Sequence, residues 1–388
     1  MLDKQKNCDS LQPQLCGLDW VTRKSWPRIH TKSSAKLLTI VDLFSSCGGM
    51  TLGAWEGSRL SRRQLSVRLA VELMEEPLNV YQSNFSKISK QIVKDDIRNL
   101  FNGDRGATLT ATEKSWKKKV GKLDLLVAGP PCQGHSDLNN STRRNDPRNL
   151  LYLRVIRAAE VLMPQAIIIE NVPAVQHDRG NVISMAQSWL QELGYRVSTS
   201  VIQFSRFGVP QSRKRHILLA VSKGGYTLSD IEKVNCVPST LGDYLKGLEE
   251  SANSNGLLSR PARMTKRNIE RVQYLFENNL YDLPNSERPP CHRDKKHAYV
   301  SMYGRMRWNQ CAQTLTSGFG SMGQGRYIHP KKQRLITPHE AARLQGIPDF
   351  FDFTAAQTLS GLREMIANAV PPPFTATLVN RLIGSNSI

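Results

Sequence analysis

The chain has 388 residues, 39% of them apolar, and a formal net charge of +20. That length and composition suit one large domain plus a smaller one and exclude a disordered chain, while the charge calls for a polyanionic partner, nucleic acid ahead of an anionic membrane. No run approaches the roughly 18 apolar residues of a spanning helix and the first residues lack a signal-peptide core, so the expectation is an intracellular protein without a membrane role, cytoplasmic and nucleoid-associated if bacterial.

Residues 1–36 are polar and basic, with Trp20 and Trp26 but no periodicity, and read as an irregular arm that touches a partner or frays. From residue 37 short β-rich apolar runs alternate with helix-length segments: "LLTIVDLF", "SVRLAVEL", "KQIVKDD", "LDLLVAGPP", "QAIIIENVP", "RVSTSVIQF" and "RHILLAVS". Runs apolar on both faces, separated by helices, predict a mostly parallel, doubly wound α/β sheet over residues 37–221. Pro77 behind Glu75 and Glu76 opens one covering helix, and "PRNLLYLRVIRAAEVLMP" carries the apolar spacing of another.

After Val221 the alternation fades. Residues 260–334 hold 15 Lys/Arg against 5 Asp/Glu, interleaved with aromatics such as Tyr281, Tyr303 and Trp308, the pattern of a surface that docks a phosphate backbone. Within it "CHRDKKH" lacks a second cysteine pair and reads as a basic loop, not a metal site; the seven cysteines, odd in number and without a CxxC, argue against a disulfide framework. Helical signals return in "TPHEAARLQG", and "MIANAVPPPFTATLVNRL" predicts a last helix returning to the first domain.

Ligands of an open α/β sheet gather at the carboxyl ends of its strands. The first strand ends in Asp42 and Phe44, followed by a glycine-bearing turn at Gly48 and Gly49 that lets the backbone approach a nucleoside-type cofactor, or that simply turns. Glu72 stands where a carboxylate meets two ribose hydroxyls, and Asp95, Asp96 and Ile97 offer a carboxylate and an apolar face to adenine; each also suits a helix cap or surface acid. Cys132, between Pro131 and Gln133 beyond the fourth strand, is placed as a nucleophile. Glu170, after three isoleucines, is expected to have a carboxyl raised toward the range of a proton donor. Arg213 and Arg215 point to one side if extended, to bind a carbonyl oxygen or phosphate, or as an ordinary strand-edge pair.

In order and spacing, "DLFSSCGGMTLG", "VEL", "DDI", "GPPCQGHS", "ENVP", "QSRKR", "RLITPHEAARLQGIPD" and "ANAVPPP" resemble the motifs of the cytosine-C5 DNA methyltransferases of bacterial type II kind, from about Thr39 to Asn380. The resemblance implies a Rossmann-like, seven-stranded class I methyltransferase domain and S-adenosylmethionine as cofactor. It implies that Cys132 adds to cytosine C6, that Glu170 engages ring N3, and that Arg215, with Arg213 beside it, holds the base. It assigns Asp42, Phe44, Ser46, Gly48, Gly49, Glu72, Asp96, Ile97, Pro130, Asn368 and Val370 to the cofactor pocket, and Gln133, Ser136, Gln211 and Arg326 to DNA. Residues 37–221 form the catalytic domain on this reading, residues 222–333 a target-recognition domain, and residues 334–388 a segment returning to the first. The partners implied are duplex DNA with its target base flipped out, and, functionally, a cognate restriction endonuclease; the protein is expected to be a monomer.

Three positions depart from the family pattern. Ser46 and Ala367 replace glycines, and His135 replaces a phenylalanine, without removing a reacting atom. Two competing readings share these residues: a tRNA cytosine methyltransferase, and a non-catalytic nucleic-acid-binding relative. The large basic second region favours duplex DNA, and the joint presence of Cys132, Glu170 and Arg215 favours an enzyme.

Overall fold

The seven apolar runs become the strands β1 (Leu37–Leu43), β2 (Gln64–Glu72), β3 (Ile92–Lys94), β4 (Leu125–Ala128), β5 (Ala166–Asn171), β6 (Arg196–Gln203) and β7 (Lys214–Val221) of one sheet. They come from a computed structural model that describes residues 18–27, 36–131, 150–178, 180–236, 239–248, 256–294 and 301–388. The strand order is β3-β2-β1-β4-β5-β7-β6. Pairs from β3 through β5 are parallel, and β7 runs antiparallel to both β5 and β6. Every residue of β4 and β5 is buried, as Leu, Ile, Val and Ala without alternation require of strands covered on both faces.

The cover comes from α1 (Leu18–Val21), α2 (Gly49–Leu60), α3 (Glu75–Phe85), α4 (Ile97–Leu100), α5 (Ala111–Val120), α6 (Leu150–Leu162) and α7 (Val182–Glu192). Beyond the sheet lie α8 (Lys266–Glu277), α9 (Pro338–Leu344), α10 (Leu359–Asn368) and α11 (Pro372–Gly384), together with shorter helical turns. α2 and α11 approach closely because Gly49, Gly53 and Gly57 recur every four residues on one face of α2. A Cβ at Gly53 would stand 2.6 Å from the Pro372 carbonyl oxygen, and one at Gly57 2.6 Å from that of Ala376. This packing returns the end of the chain to the first strand-helix unit.

The C-terminal block, expected as one helix, is two. α10 stops at Asn368 because Pro371 disfavours helical backbone at Val370, while Pro372 and Pro373 fit the first turn of α11, where no intrahelical N–H is needed.

The described part of the N-terminal arm is packed, contrary to the expectation of an irregular, fraying segment. Trp20 and Val21 are fully buried. Trp20 Nε1 donates to the Gly346 carbonyl at 2.7 Å, the Asp349 N–H donates to the Val21 carbonyl at 2.8 Å, and Lys24 pairs with Asp349 at 2.6 Å. Trp26 stands edge-on to Trp55, with centroids 4.7 Å apart. Two tryptophans without periodicity gave no hint of this, because their partners lie dozens to hundreds of residues away. The cysteine reading needs one amendment as well: Cys236 is disulfide-bonded, whereas Cys47, Cys291 and Cys311 are in no disulfide.

Candidate active site

The strand order reverses between β1 and β4, and in such sheets the crevice outside the carboxyl ends at the reversal is where ligands bind. The turn after β1 is unusual in its backbone. Phe44, Ser46 and Gly48 have φ of 58°, 49° and 97°, three left-handed residues within five. Two acceptors hold that turn against β2: the Ser45 N–H donates to the Val71 carbonyl at 3.0 Å and the Ser46 N–H to Glu72 Oε2 at 2.8 Å. Glu72 Oε1 also accepts the N–H groups of Leu73 and Met74, each at 2.9 Å, so its carboxylate is fixed in orientation at the strand end. Gly49 is needed for space, since a Cβ there would lie 2.7 Å from the Val370 carbonyl oxygen. Val370 is thereby brought to the first turn, and Asn368, at the end of α10, is exposed beside it in sequence.

Asp42 lies at the core of this corner, fully buried. Its Oδ2 accepts from Thr51 Oγ1 at 2.6 Å, and that hydroxyl also meets Tyr81 Oη at 2.9 Å. Its Oδ1 is buried without a hydrogen-bond partner among the described residues. Burial pushes the Asp42 carboxyl up to about 7 against an ordinary 3.8, and the neighbouring charge of Glu72 acts in the same direction. Thr51 and Tyr81 had no sequence signal: a hydroxyl inside a helix becomes informative only once its partner is known.

Asp96 and Ile97 stand at the start of α4, just beyond β3. Asp96 caps α4, its Oδ1 accepting the Arg98 N–H at 2.9 Å and its Oδ2 meeting Arg98 Nη2 at 2.6 Å, and this guanidinium holds the carboxyl below its usual range. Ile97 is 2% exposed and faces the core, so its side chain offers no free surface. The N-cap alternative weighed for the acid is what is found.

At the other side of the crevice, β5 and β7 pair antiparallel with Glu170 opposite Ile217. Arg215 Nε lies 2.8 Å from Glu170 Oε1, with the side chains 14% and 10% exposed. The end of β4 is laid against this pair. A Cβ at Gly129 would stand 3.8 Å from Glu170 Oε2, and Asn171 Nδ2 donates to the Pro130 carbonyl at 3.3 Å. Cys132, Gln133, His135 and Ser136 follow immediately in sequence and lie outside the described residues.

Arg213, Gln211 and Arg326 all have partners within the chain. Arg213 is 2% exposed and its Nη1 donates to the Leu315 carbonyl at 3.1 Å, so the two arginines have different partners. Gln211 is fully buried, not turned to a groove: Nε2 donates to the Leu344 carbonyl at 3.2 Å and to Gln345 Oε1 at 2.9 Å, and Oε1 accepts the Leu315 N–H at 3.0 Å. Gln345 Nε2 in turn reaches the carbonyls of Ile366, Ala367 and Ala369 at 2.8, 3.0 and 3.3 Å. This chain of amides ties the loop around Leu315 to the break between α10 and α11, which is why short polar residues recur inside otherwise apolar blocks. Arg326 is half-buried, held by Asp282 and by the carbonyls of Tyr281 and Arg305 at 2.9 and 3.0 Å.

A doubly wound sheet with a left-handed glycine turn at its first strand and a carboxylate–guanidinium pair at its fifth defines a Rossmann-like, class I methyltransferase fold. Residues 38–384 match the model of the C-5 cytosine-specific DNA methylase family. The chain belongs to that family and is a DNA (cytosine-5)-methyltransferase. It is 42% identical over 360 residues to Type II methyltransferase M1.BsuMI of Bacillus subtilis, covering 92% of this chain and 83% of that protein. It is 29% identical over 348 residues to Type II methylase M.HgiDII of Herpetosiphon aurantiacus, covering 86% and 91%. Among solved structures, the S. pombe Dnmt2 methyltransferase shares the fold with a TM-score of 0.60 at 17% identity, covering 90% of this chain and 98% of that one.

Proposed function

We propose that this chain methylates C5 of a flipped-out cytosine within a specific duplex sequence, as the modification partner of a type II restriction endonuclease. The observation that carries the reading is the Glu170–Arg215 pair with the Gly129–Pro130 turn laid against it, one peptide beyond which the sequence continues through Pro131 to Cys132. The Type II names of the bacterial relatives support the pairing with an endonuclease.

The first-strand corner suits S-adenosylmethionine. Asp42 Oδ1 is a buried acceptor without a partner among the described residues, matched to a cationic ammonium, and Glu72 presents a fixed carboxylate at the β2 end for the ribose hydroxyls. Phe44, Ser46, Gly48, Gly49, Pro130, Asn368 and Val370 would complete that pocket. When bound, the cofactor supplies the electrophilic methyl group that C5 takes.

Cytosine C5 is too weak a nucleophile to take that methyl unaided. The Cys132 thiolate adds to C6, while Glu170, oriented by Arg215, hydrogen-bonds and protonates ring N3, so the electron pair reaches C5 as an enamine. After methylation a base removes the C5 proton, the C6–S bond breaks, the thiolate leaves and N3 returns its proton to Glu170, giving 5-methylcytosine. Residues 37–221 with 334–388 constitute the catalytic domain on this reading, residues 222–333 recognise the target and residues 1–36 form the N-terminal arm. Incorporation of labelled methyl into duplex DNA but not tRNA, abolished by Cys132→Ala, is the expected result; labelling of tRNA alone, or of neither, overturns it. Bisulfite sequencing of DNA from a host expressing the protein then identifies the methylated cytosine.

A further inference from the structure

Several of the cations in residues 260–334 are already engaged by the chain's own aromatic and acidic side chains. The Arg305 guanidinium stacks 4.0 Å from the Phe276 centroid and 4.8 Å from that of Tyr281, Arg307 lies 4.4 Å from Tyr281, and Lys331 lies 3.5 Å from Trp308. Arg326 is tied to Asp282, and Arg334 pairs with Glu340 at 2.7 Å. These cations build the region; a phosphate would have to compete with their existing partners.

Arg260 and Arg263 differ. Both are exposed, and neither side chain has a hydrogen-bond or ion-pair partner among the described residues. With Arg363 of α10 they line a cleft of about 310 Å³ whose floor includes Pro261, Gly320 and Leu359. Arg363 Nε donates to the Leu359 carbonyl at 3.1 Å, which fixes the guanidinium while its Nη groups carry no carboxylate among the described residues. A Cβ at Gly320 would overlap that guanidinium, so the glycine is what admits it. Glu76, an acid near the start of α10, is engaged with the N–H groups of Gln357 and Thr358, each at 2.8 Å. Partial burial holds the Arg363 pKa below its ordinary value, as expected of a cation without a counter-charge. Three arginines line this one concave site, and the planar fork of a guanidinium matches phosphate oxygens.

We infer that this cleft grips a phosphodiester of the DNA backbone, Arg260 and Arg263 from one side and Arg363 from the other, and so fixes the register of the duplex against the catalytic domain. The inference rests on the reading of duplex DNA as substrate. A backbone contact of this kind positions DNA without selecting sequence.

The test is fluorescence anisotropy of a labelled duplex between 50 and 200 mM NaCl, for wild type, for Arg260→Gln/Arg263→Gln, and for that pair combined with Arg363→Gln. The slope of log affinity against log salt should fall in magnitude by about 1 in both variants, and Arg260→Lys/Arg263→Lys should restore most of it. The double variant changes only exposed residues, so its melting temperature should match wild type, which separates the effect from misfolding. Unchanged slope and affinity in both variants overturn the inference. It is also overturned if inorganic phosphate raises the melting temperature of wild type and not of the variants while the DNA slope stays the same, because the cleft then serves free phosphate. Failure of wild type to bind any duplex removes the DNA reading itself, a distinguishable result.

Discussion

Arg215 Nε lies 2.8 Å from Glu170 Oε1, joining the last parallel strand of the sheet to the antiparallel strand beside it. The pair holds the Glu170 carboxyl group and the Arg215 guanidinium against each other across the two strands.

Glu170→Gln keeps the shape of that side chain and removes the exchangeable proton. Single-turnover methyl transfer to a cognate duplex is expected to fall by roughly 10²–10⁴-fold, the range of a positioned acid–base group. DNA affinity should change little, and an unchanged transfer rate would refute the role. Arg215→Lys keeps the charge but loses the fork geometry, and should give a smaller loss of the same step.

Asp42 has a folded pKa of about 7 against 3.8. Between those values the folded chain holds a proton that the unfolded chain has released, so the associated stabilisation is complete below pH 3.8 and is lost as pH rises through about 7. Urea midpoints of wild type should therefore decline from pH 5 to 7.5 by more than those of Asp42→Asn, a difference on the order of a few kcal/mol at most. Equal declines would show that Asp42 does not titrate in that window. If the buried Oδ1 meets the cofactor's ammonium, cofactor affinity of wild type rises over the same interval and that of Asp42→Asn does not.

Ser46 occupies φ 49°, a conformation that costs a side-chain-bearing residue roughly 1–2 kcal/mol. Part of that is recovered as lower unfolded-state entropy, so Ser46→Gly should stabilise by about 0.5–1 kcal/mol. Calorimetry checks the sign, and titration with S-adenosylmethionine should show tighter binding as the turn relaxes. A destabilised Ser46→Gly would mean that the hydroxyl contributes more than the backbone loses.

Gly53 faces Thr375 and Pro372, where a Cβ would stand 2.5 Å from Thr375 Cβ. Gly53→Ala should force α2 and α11 apart and cost about 1–3 kcal/mol, read as a lower denaturation midpoint. Gly106, where a Cβ meets nothing within 4 Å, is a less crowded comparison, though its φ of 69° adds backbone strain. If Gly53→Ala were silent, the two helices would be less tightly seated than their backbones suggest.

The strands were legible because burial on both faces leaves an unambiguous apolar run, as in "QAIIIENVP", and each of the seven runs overlaps an observed strand, β2 and β7 starting two residues and one residue before theirs. The break between α10 and α11 is legible in the three prolines at 371–373, although the block reads as one helix if they are passed over. The arm was misread because Trp20 carries no local signal; its value lies in a carbonyl 326 residues away.

Residue types and their order were enough to determine the strands, the α/β class and which side chains are chemically equipped to react. Only the tertiary structure decided which of them meet: Asp96 caps a helix, Gln211 is buried in an amide chain, and Arg326 is tied to Asp282, while Glu170 and Arg215 come together. The reason is physical. Apolar periodicity is a local consequence of burial, whereas the partner of a polar group is set by distances between segments far apart in the chain, and no spacing in the sequence encodes them.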